Sequence, residues 1–261
     1  MRVITTAFQV LEAVAAHQPI GVSELARLLD LPKSTVQRAL GALHEVGWVE
    51  QELGGSRRWV QTTKLLALAS RGGGVGLRER AMPVMRQLSD MTDENVHLSV
   101  HSGRGVTIIE KLESSKSVRP HDPLGVVAPI HASSTGKAIL AWSPPEELTA
   151  LFSEDLEGFT GRTIVDEAAL RDELRAIRER GYSANTGEWR DDIRGVAAAI
   201  IDPDGRARAA ISLAVPAHRL PDDQIPALGE LVRDTVARLC APLPDDSVPG
   251  GPGGPGHPPA P

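Results

Sequence analysis

Ser134-Thr135-Gly136-Lys137 brings two hydroxyls, a glycine and a lysine together, the residue types of two well-known chemistries. A phosphate-cradling loop would need a glycine five positions before Gly136 and a magnesium-binding hydroxyl after Lys137; His131 and Ala138 stand there instead, so nucleotide hydrolysis is not expected. The same four residues fit the Ser-x-x-Lys spacing of penicillin-recognising enzymes, but no Ser-Asp-Asn or Lys-Thr-Gly partner occurs in the chain. His97 and His101, four apart in a β-like run, fall on one face about two pleats from each other. With no Asp, Glu or Cys cluster following them, they read as ordinary sheet residues, the alternative being a metal role shared with His121 or His131. Cys240 is the only cysteine, which excludes an intrachain disulfide and a thiolate-rich zinc site. Neither a cofactor nor a metal is expected, and no nucleophile–base pair argues for an enzyme.

The elements that must carry these residues belong to a chain of 261 residues, enough for two small domains or one large one. Apolar residues at 41% and charged residues at 24% are ordinary globular usage. The longest apolar runs, such as Val196 to Ile201, are strand-sized, and Thr5, Thr6, Gln9 and Glu12 interrupt any leader-like stretch, so a cytoplasmic protein without a membrane span is expected. Aromatics at 3% disfavour a base-stacking single-strand binder. A net charge of −6 argues against nucleic acid until it is divided along the chain: residues 1 to 70 hold seven cations against six carboxylates, a net +1, leaving −7 for the remainder.

Helical spacing of Val3, Ala7, Val10, Leu11 and Val14 predicts a helix stopping near Pro19. A second carries Leu25, Ala26, Leu28 and Leu29, with Gly21 or Ser23 as its cap; after Asp30-Leu31-Pro32 a third runs to about Val46. That third helix turns Val36, Ala39, Leu40 and Leu43 inward and Ser34, Gln37 and Arg38 outward. Trp48 to Gln51 and Arg58 to Gln61 form a hairpin. Three helices and a hairpin in this order predict a winged helix-turn-helix over residues 1–64. Its third helix presents Lys33, Ser34, Thr35, Gln37 and Arg38 to double-stranded DNA, and Arg57 and Arg58 on the wing meet phosphate or the minor groove. A helical interaction module, whose cations only solvate it, is the competing reading.

Four glycines between Gly72 and Gly76 make a continuous helix improbable there and mark a linker, placed over residues 65–80. Residues 81–242 mix strand-like runs at 96–101, 106–112, 196–201 and 208–215 with helical runs at 134–142, 145–152, 167–180 and 223–239, which indicates an α+β domain around an antiparallel sheet. From Pro242 onward the chain carries eight of its 20 prolines, so residues 243–261 read as a disordered tail.

The segment Val22 to Ala26, then Leu31-Pro32-Lys33-Ser34-Thr35-Val36-Gln37-Arg38-Ala39-Leu40, resembles the DNA-binding domain of the IclR family of bacterial transcriptional regulators. Arg80 to Leu88, His131 to Ala141, Arg178 to Ser183 and Ala209 to Leu213 resemble successive segments of its effector domain, so the likeness runs from about residue 3 to 242. The resemblance implies a GAF-like C-terminal domain whose effector pocket involves Ser134, Thr135, Asn185, Gly195, Ser212 and Ala214. Family members often carry an acidic residue at the place of Asn185, Cys or Ser at that of Gly195, and Ser at that of Ala214. These departures predict a roomier, less polar pocket and an organic or aromatic acid, or a lactone, as effector. Read from the residues alone, Ser133 to Gly136 open a helix whose free N–H groups suit an anion, or simply cap it. The resemblance further implies a homodimer or dimer of dimers on a palindromic operator. An enzyme with an appended DNA-binding module and a ligand-independent DNA binder are the alternatives.

Overall fold

The computed structural model describes residues 2–52, 56–70 and 74–240, and the chain divides into two compact units, one ending at Leu77 and one starting at Arg78. The predicted tail and the glycines at 54, 55, 72 and 73 lie outside the described residues.

In the first unit, α1 (Arg2–His17), α2 (Val22–Leu28) and α3 (Lys33–Glu45) enclose a core of Val10, Leu11, Val14, Leu25, Val36, Leu40 and Leu43. Val3 and Leu28, assigned to inward faces from their spacing, are instead exposed, at 82% and 51%. Each lies at the end of its helix, where no neighbour covers the apolar stripe. Between α2 and α3 the chain reverses through Asp30, whose left-handed φ of 51° is tolerated by short polar side chains. The hairpin is β2 (Val49–Gln51) and β3 (Arg58–Gln61), paired antiparallel. A third strand, β1 (Ile20–Gly21), joins the outer edge of β3 to give the order β1-β3-β2. These elements make a winged helix-turn-helix.

The stretch expected to be a linker is largely helical: it takes in α4 (Lys64–Ser70) after that helix's first residue, and α5 (Gly74–Thr92) begins there and includes Gly74 and Gly76. A glycine in a helix costs about 1 kcal/mol. Here that cost falls in the first turn of a 19-residue helix anchored by buried Ala81, Val84, Met85 and Leu88, so propagation and packing override the local preference.

The second unit is built on an antiparallel sheet of β4 (Asn95–Ser102), β5 (Gly105–Leu112), β6 (Val127–Pro129), β7 (Ser183–Asn185), β8 (Ile193–Ile201) and β9 (Ala207–Pro216), in the order β6-β5-β4-β9-β8-β7. Against one face lie α6 (Ser134–Leu140), α7 (Pro145–Leu151) and α8 (Glu167–Arg180), whose Ile139, Leu151, Leu170, Leu174 and Ile177 share a core with Ala197, Ala199 and Ala210. The alternate residues Val196, Ala198 and Ile200 are buried too, so both faces of β8 are covered. The last helix, α9 (Ile225–Cys240), packs along β8. This is the expected α+β domain.

Every residue of α6 is buried, with no solvent-facing stripe. Such a helix must lie very close to its neighbours, and Gly136 shows how close: a Cβ there would overlap the backbone of Ile130. Gly136→Ala is therefore expected to destabilise the second unit by at least about 3 kcal/mol, the upper end for overpacking, because backbone cannot rotate away. Gly41, exposed on α3 with open space around it, is the control: Gly41→Ala is expected to stabilise by about 0.5–1 kcal/mol. Chemical denaturation of both variants checks the pair.

Candidate DNA-reading surface and ligand cavity

Pro32 caps α3, and its carbonyl accepts the amides of Thr35 (2.9 Å) and Val36 (3.2 Å), so the first turn forms without a side-chain cap. Buried Val36, Ala39, Leu40 and Leu43 fix the rotation of the helix, which leaves Lys33, Ser34, Gln37 and Arg38 exposed and Thr35 half-buried. None of the exposed four uses its side chain in a hydrogen bond among the described residues, and Arg57 is likewise exposed. Bidentate contact to guanine by Arg38 and to adenine by Gln37 is chemically available on this face.

Arg58 differs. Its Nε donates to Pro19 O (2.9 Å) and its Nη2 to Glu24 Oε2 (3.1 Å), while the same Glu24 oxygen accepts the amide of Gly21 (2.9 Å). Its guanidinium thus ties β3 to the start of α2 while remaining about half-exposed. Arg57, one position earlier, carries no such tie among the described residues.

In the second unit the structure brings Ser134, Thr135, Asn185, Gly195, Ser212 and Ala214 together on one cavity between α6 and the sheet. Its volume is about 50 Å³, so the expectation of a roomy pocket is corrected. The missing side chain at Gly195 leaves no free space, because a Cβ there would stand 2.9 Å from Ser134 Oγ and 3.0 Å from Leu213 O. Asn185 points its polar ends at the chain: Nδ2 donates to Ala132 O (2.9 Å), and Oδ1 accepts the amides of Gly187 (2.9 Å) and Glu188 (2.7 Å). It braces the turn after β7. Ser133, at the cap of α6, accepts the Gly136 amide (3.1 Å) and donates to Pro129 O (2.7 Å), so one of the helix's opening N–H groups is already taken.

Sequence reasoning passes over several polar residues of this lining. His97, Ser99, Asp122, Arg190 and Arg194 line it too, together with the apolar Ile108, Ala128, Trp189 and Ile193. His97 opposes Ser212 across β4 and β9, and Asn95, His97 and Ser99 alternate polar with apolar along β4, the period-two signal by which this wall is recognisable. Burial holds the His97 ring down to about 4, with Lys111 and Arg190 reinforcing the shift and Asp122 opposing it, so the imidazole is neutral at neutral pH. Asp122 Oδ2 lies 4.0 Å from His97 Nε2, beyond hydrogen-bonding distance, and Oδ1 is engaged by Arg190 Nη2 at 2.5 Å. Three buried nitrogens on this lining, His97 Nε2, Arg190 Nε and Arg194 Nε, have no hydrogen-bond partner among the described residues. Unpaired buried nitrogens are costly. Of the other histidines weighed for a metal, His101 and His131 bond to Gly103 O (2.8 Å) and Glu157 O (2.9 Å).

Comparison with known proteins places this geometry. The bacterial transcriptional regulator IclR C-terminal model matches residues 73–241, and the IclR helix-turn-helix domain matches residues 3–53. The chain is 33% identical to the HTH-type transcriptional regulator BhcR of Paracoccus denitrificans (strain Pd 1222) over 245 residues, covering 92% of this chain and 86% of that protein. It is also 33% identical to the HTH-type transcriptional repressor AllR of Escherichia coli (strain K12), over 85% of this chain and 82% of the relative. Among solved structures it resembles the IclR of Thermotoga maritima (TM-score 0.70, 26% identity, 92% of this chain and 100% of that one). An IclR homolog complexed with 4-hydroxybenzoate, from Microbacterium hydrocarbonoxydans, is similarly close (TM-score 0.71, 26% identity, 91% and 97%). No helix among the described residues is long and apolar enough to cross a membrane. With both domains matched in order and a third of its residues shared with such regulators, the chain belongs to the IclR family of bacterial transcriptional regulators.

Proposed function

We propose that this chain binds operator DNA through the exposed face of α3 and that a small organic acid, held between α6 and the sheet, sets its affinity. The observation that carries the effector reading is that His97, Arg190 and Arg194 line one small cavity together with Ser134, Thr135 and Ser212. Arg190, Arg194 and His97 take the carboxylate, and the hydroxyls of Ser134, Thr135 and Ser212 take the other end of the molecule. The Microbacterium relative, with its bound aromatic acid, supports acid binding in this fold. Size argues for a shorter ligand here: a cavity of about 50 Å³ holds roughly a few non-hydrogen atoms, which favours acids of about two to four carbons over an aromatic ring.

On DNA, Arg38 and Gln37 read base edges, Lys33, Ser34 and Thr35 hold phosphate or base edges, and Arg57 meets the backbone beside them. A homodimer or dimer of dimers matches two such faces to a palindrome. An acid changes operator affinity only by binding one arrangement of the subunits better than the other.

Genome-wide footprinting of the purified protein identifies the operator. Fluorescence anisotropy on that sequence is then expected to show Arg38→Ala losing about 1–3 kcal/mol of specific binding, while scrambled DNA binds as before. Unchanged operator affinity would falsify the reading of α3. In the second unit, His97→Ala is expected to keep operator affinity and lose its response to pyruvate or glyoxylate; a response to 4-hydroxybenzoate alone would overturn the size argument. The response also depends on pH with a definite sign. An anion beside His97 favours the imidazolium and raises its pKa above the unliganded value of about 4, so acid affinity rises as pH falls through the raised value and levels off below about 4. Calorimetric titration across pH checks this, and the dependence disappears in His97→Ala.

A further inference from the structure

The cavity between α6 and the sheet holds one carboxylate with an oxygen to spare. Asp122, only 4% of whose side chain is exposed, lines that space from the segment joining β5 to β6. Its Oδ1 accepts from Arg190 Nη2 (2.5 Å), but its Oδ2 makes no hydrogen bond among the described residues, since His97 Nε2 at 4.0 Å is too far away. Three unpartnered atoms of this lining, His97 Nε2, Arg190 Nε and Arg194 Nε, are sealed into the packing, and Oδ2 is not among them: it is open to the space that Asp122 lines. A carboxylate oxygen can only accept, so it selects for a donor. Beside it stands the fork of Arg190, backed by the Trp189 ring (4.2 Å to the ring centroid), and its Nη1 likewise makes no hydrogen bond among the described residues. A guanidinium and a free carboxylate oxygen held side by side call for two adjacent groups on one ligand, an anion and a donor.

We propose that Asp122 determines the specificity of this cavity and selects short acids with a hydroxyl on the carbon next to the carboxylate: Arg190 takes the carboxylate, and the hydroxyl donates to Asp122 Oδ2. This selection rests on the acid-binding reading above and ranks the acids within it. Because Oδ1 is already on Arg190, the two recognising groups are neighbours, which places the donor on the adjacent carbon. A keto acid would turn a second acceptor toward Oδ2, and two acceptors facing each other repel. An unsubstituted acid covers Oδ2 and returns no hydrogen bond to it. An amino acid also brings a donor, but its ammonium would stand among the guanidiniums of Arg190 and Arg194, where a neutral hydroxyl meets no repulsion. Asp122→Asn turns the selection round: the amide keeps an oxygen for Arg190 Nη2 and puts N–H donors where Oδ2 stands, which favours an acceptor on the ligand.

Lactate, pyruvate, propionate and alanine each have three carbons and differ only at the second, so calorimetric titration of the full chain with these four separates the cases. One enantiomer of lactate is expected to bind about tenfold more tightly than pyruvate or propionate, and alanine more weakly than lactate. In Asp122→Asn the order reverses, with pyruvate bound more tightly than lactate, an inversion that a merely structural role of Asp122 does not produce. Pyruvate, propionate or alanine bound by the wild type as tightly as lactate, or more so, overturns the proposal and leaves the acid-sensing reading standing. None of the four bound overturns both. An Asp122→Asn protein that keeps the wild-type order, or loses all the acids alike, overturns the proposal alone. Should that variant not fold, the wild-type ranking decides the matter by itself.

Discussion

A helix with no solvent face organises the second unit. Because α6 is buried on every side, its polar members must all be satisfied internally, and each satisfaction fixes a neighbour. Lys137 cannot be buried without a counter-charge, so Glu188 is drawn in. Glu188 sits on the turn after β7, which Asn185 holds by two of the turn's amides and by Ala132 O just before the helix. Ser183 closes the same circuit by donating to Ser134 O at 2.5 Å. Removing either partner of such a pair typically costs about 3–5 kcal/mol because the other charge is stranded, although the pair itself contributes little net stability. Its structural effect is positional: it joins α6 to the turn after β7.

The first unit solves a different problem, that of presenting charge outward in a chain whose net charge is −6. Affinity for phosphate depends on cations within about a Debye length, roughly 8–10 Å, of the nucleic acid, so the local balance of the first unit counts for more than the chain's total. Here α3 keeps Lys33 and Arg38 free by burying only its aliphatic face, and the one wing arginine that is tied down, Arg58, neutralises Glu24 and joins elements far apart in sequence. The tie is half-exposed and contributes little energy.

Sequence periodicity captures what long elements dictate. The helices of the reader and the four long strands of the sheet are legible because each contains enough residues for a period of 3.6 or 2 to show. Strands β1, β6 and β7 have two or three residues and no period to read; their existence depends on the partners that pair with them. Glycine misleads twice for one reason. At Gly74 and Gly76 it reads as a helix breaker and at Gly195 as open space, yet the effect of a missing side chain is decided by neighbours distant in sequence, the apolar face of α5 in one case and Ser134 in the other. The site residues on α6, β8 and β9 come from a family likeness, whereas His97, Arg190 and Arg194 need the fold, since only the pairing of β4 with β9 brings His97 opposite Ser212.

The wall that β8 and β9 turn toward α6 is made of Gly195, Ala197, Ala199, Ala210, Ser212 and Ala214, none with a side chain longer than serine's. In a space of about 50 Å³, one added methyl or hydroxyl group is a large fraction of the whole. On the proposed reading of this cavity, a single substitution on the wall is therefore a large step in the size of ligand it admits. On the same reading the operator-contacting residues belong to the other unit, so such a step leaves them untouched and separates the choice of signal from the choice of DNA.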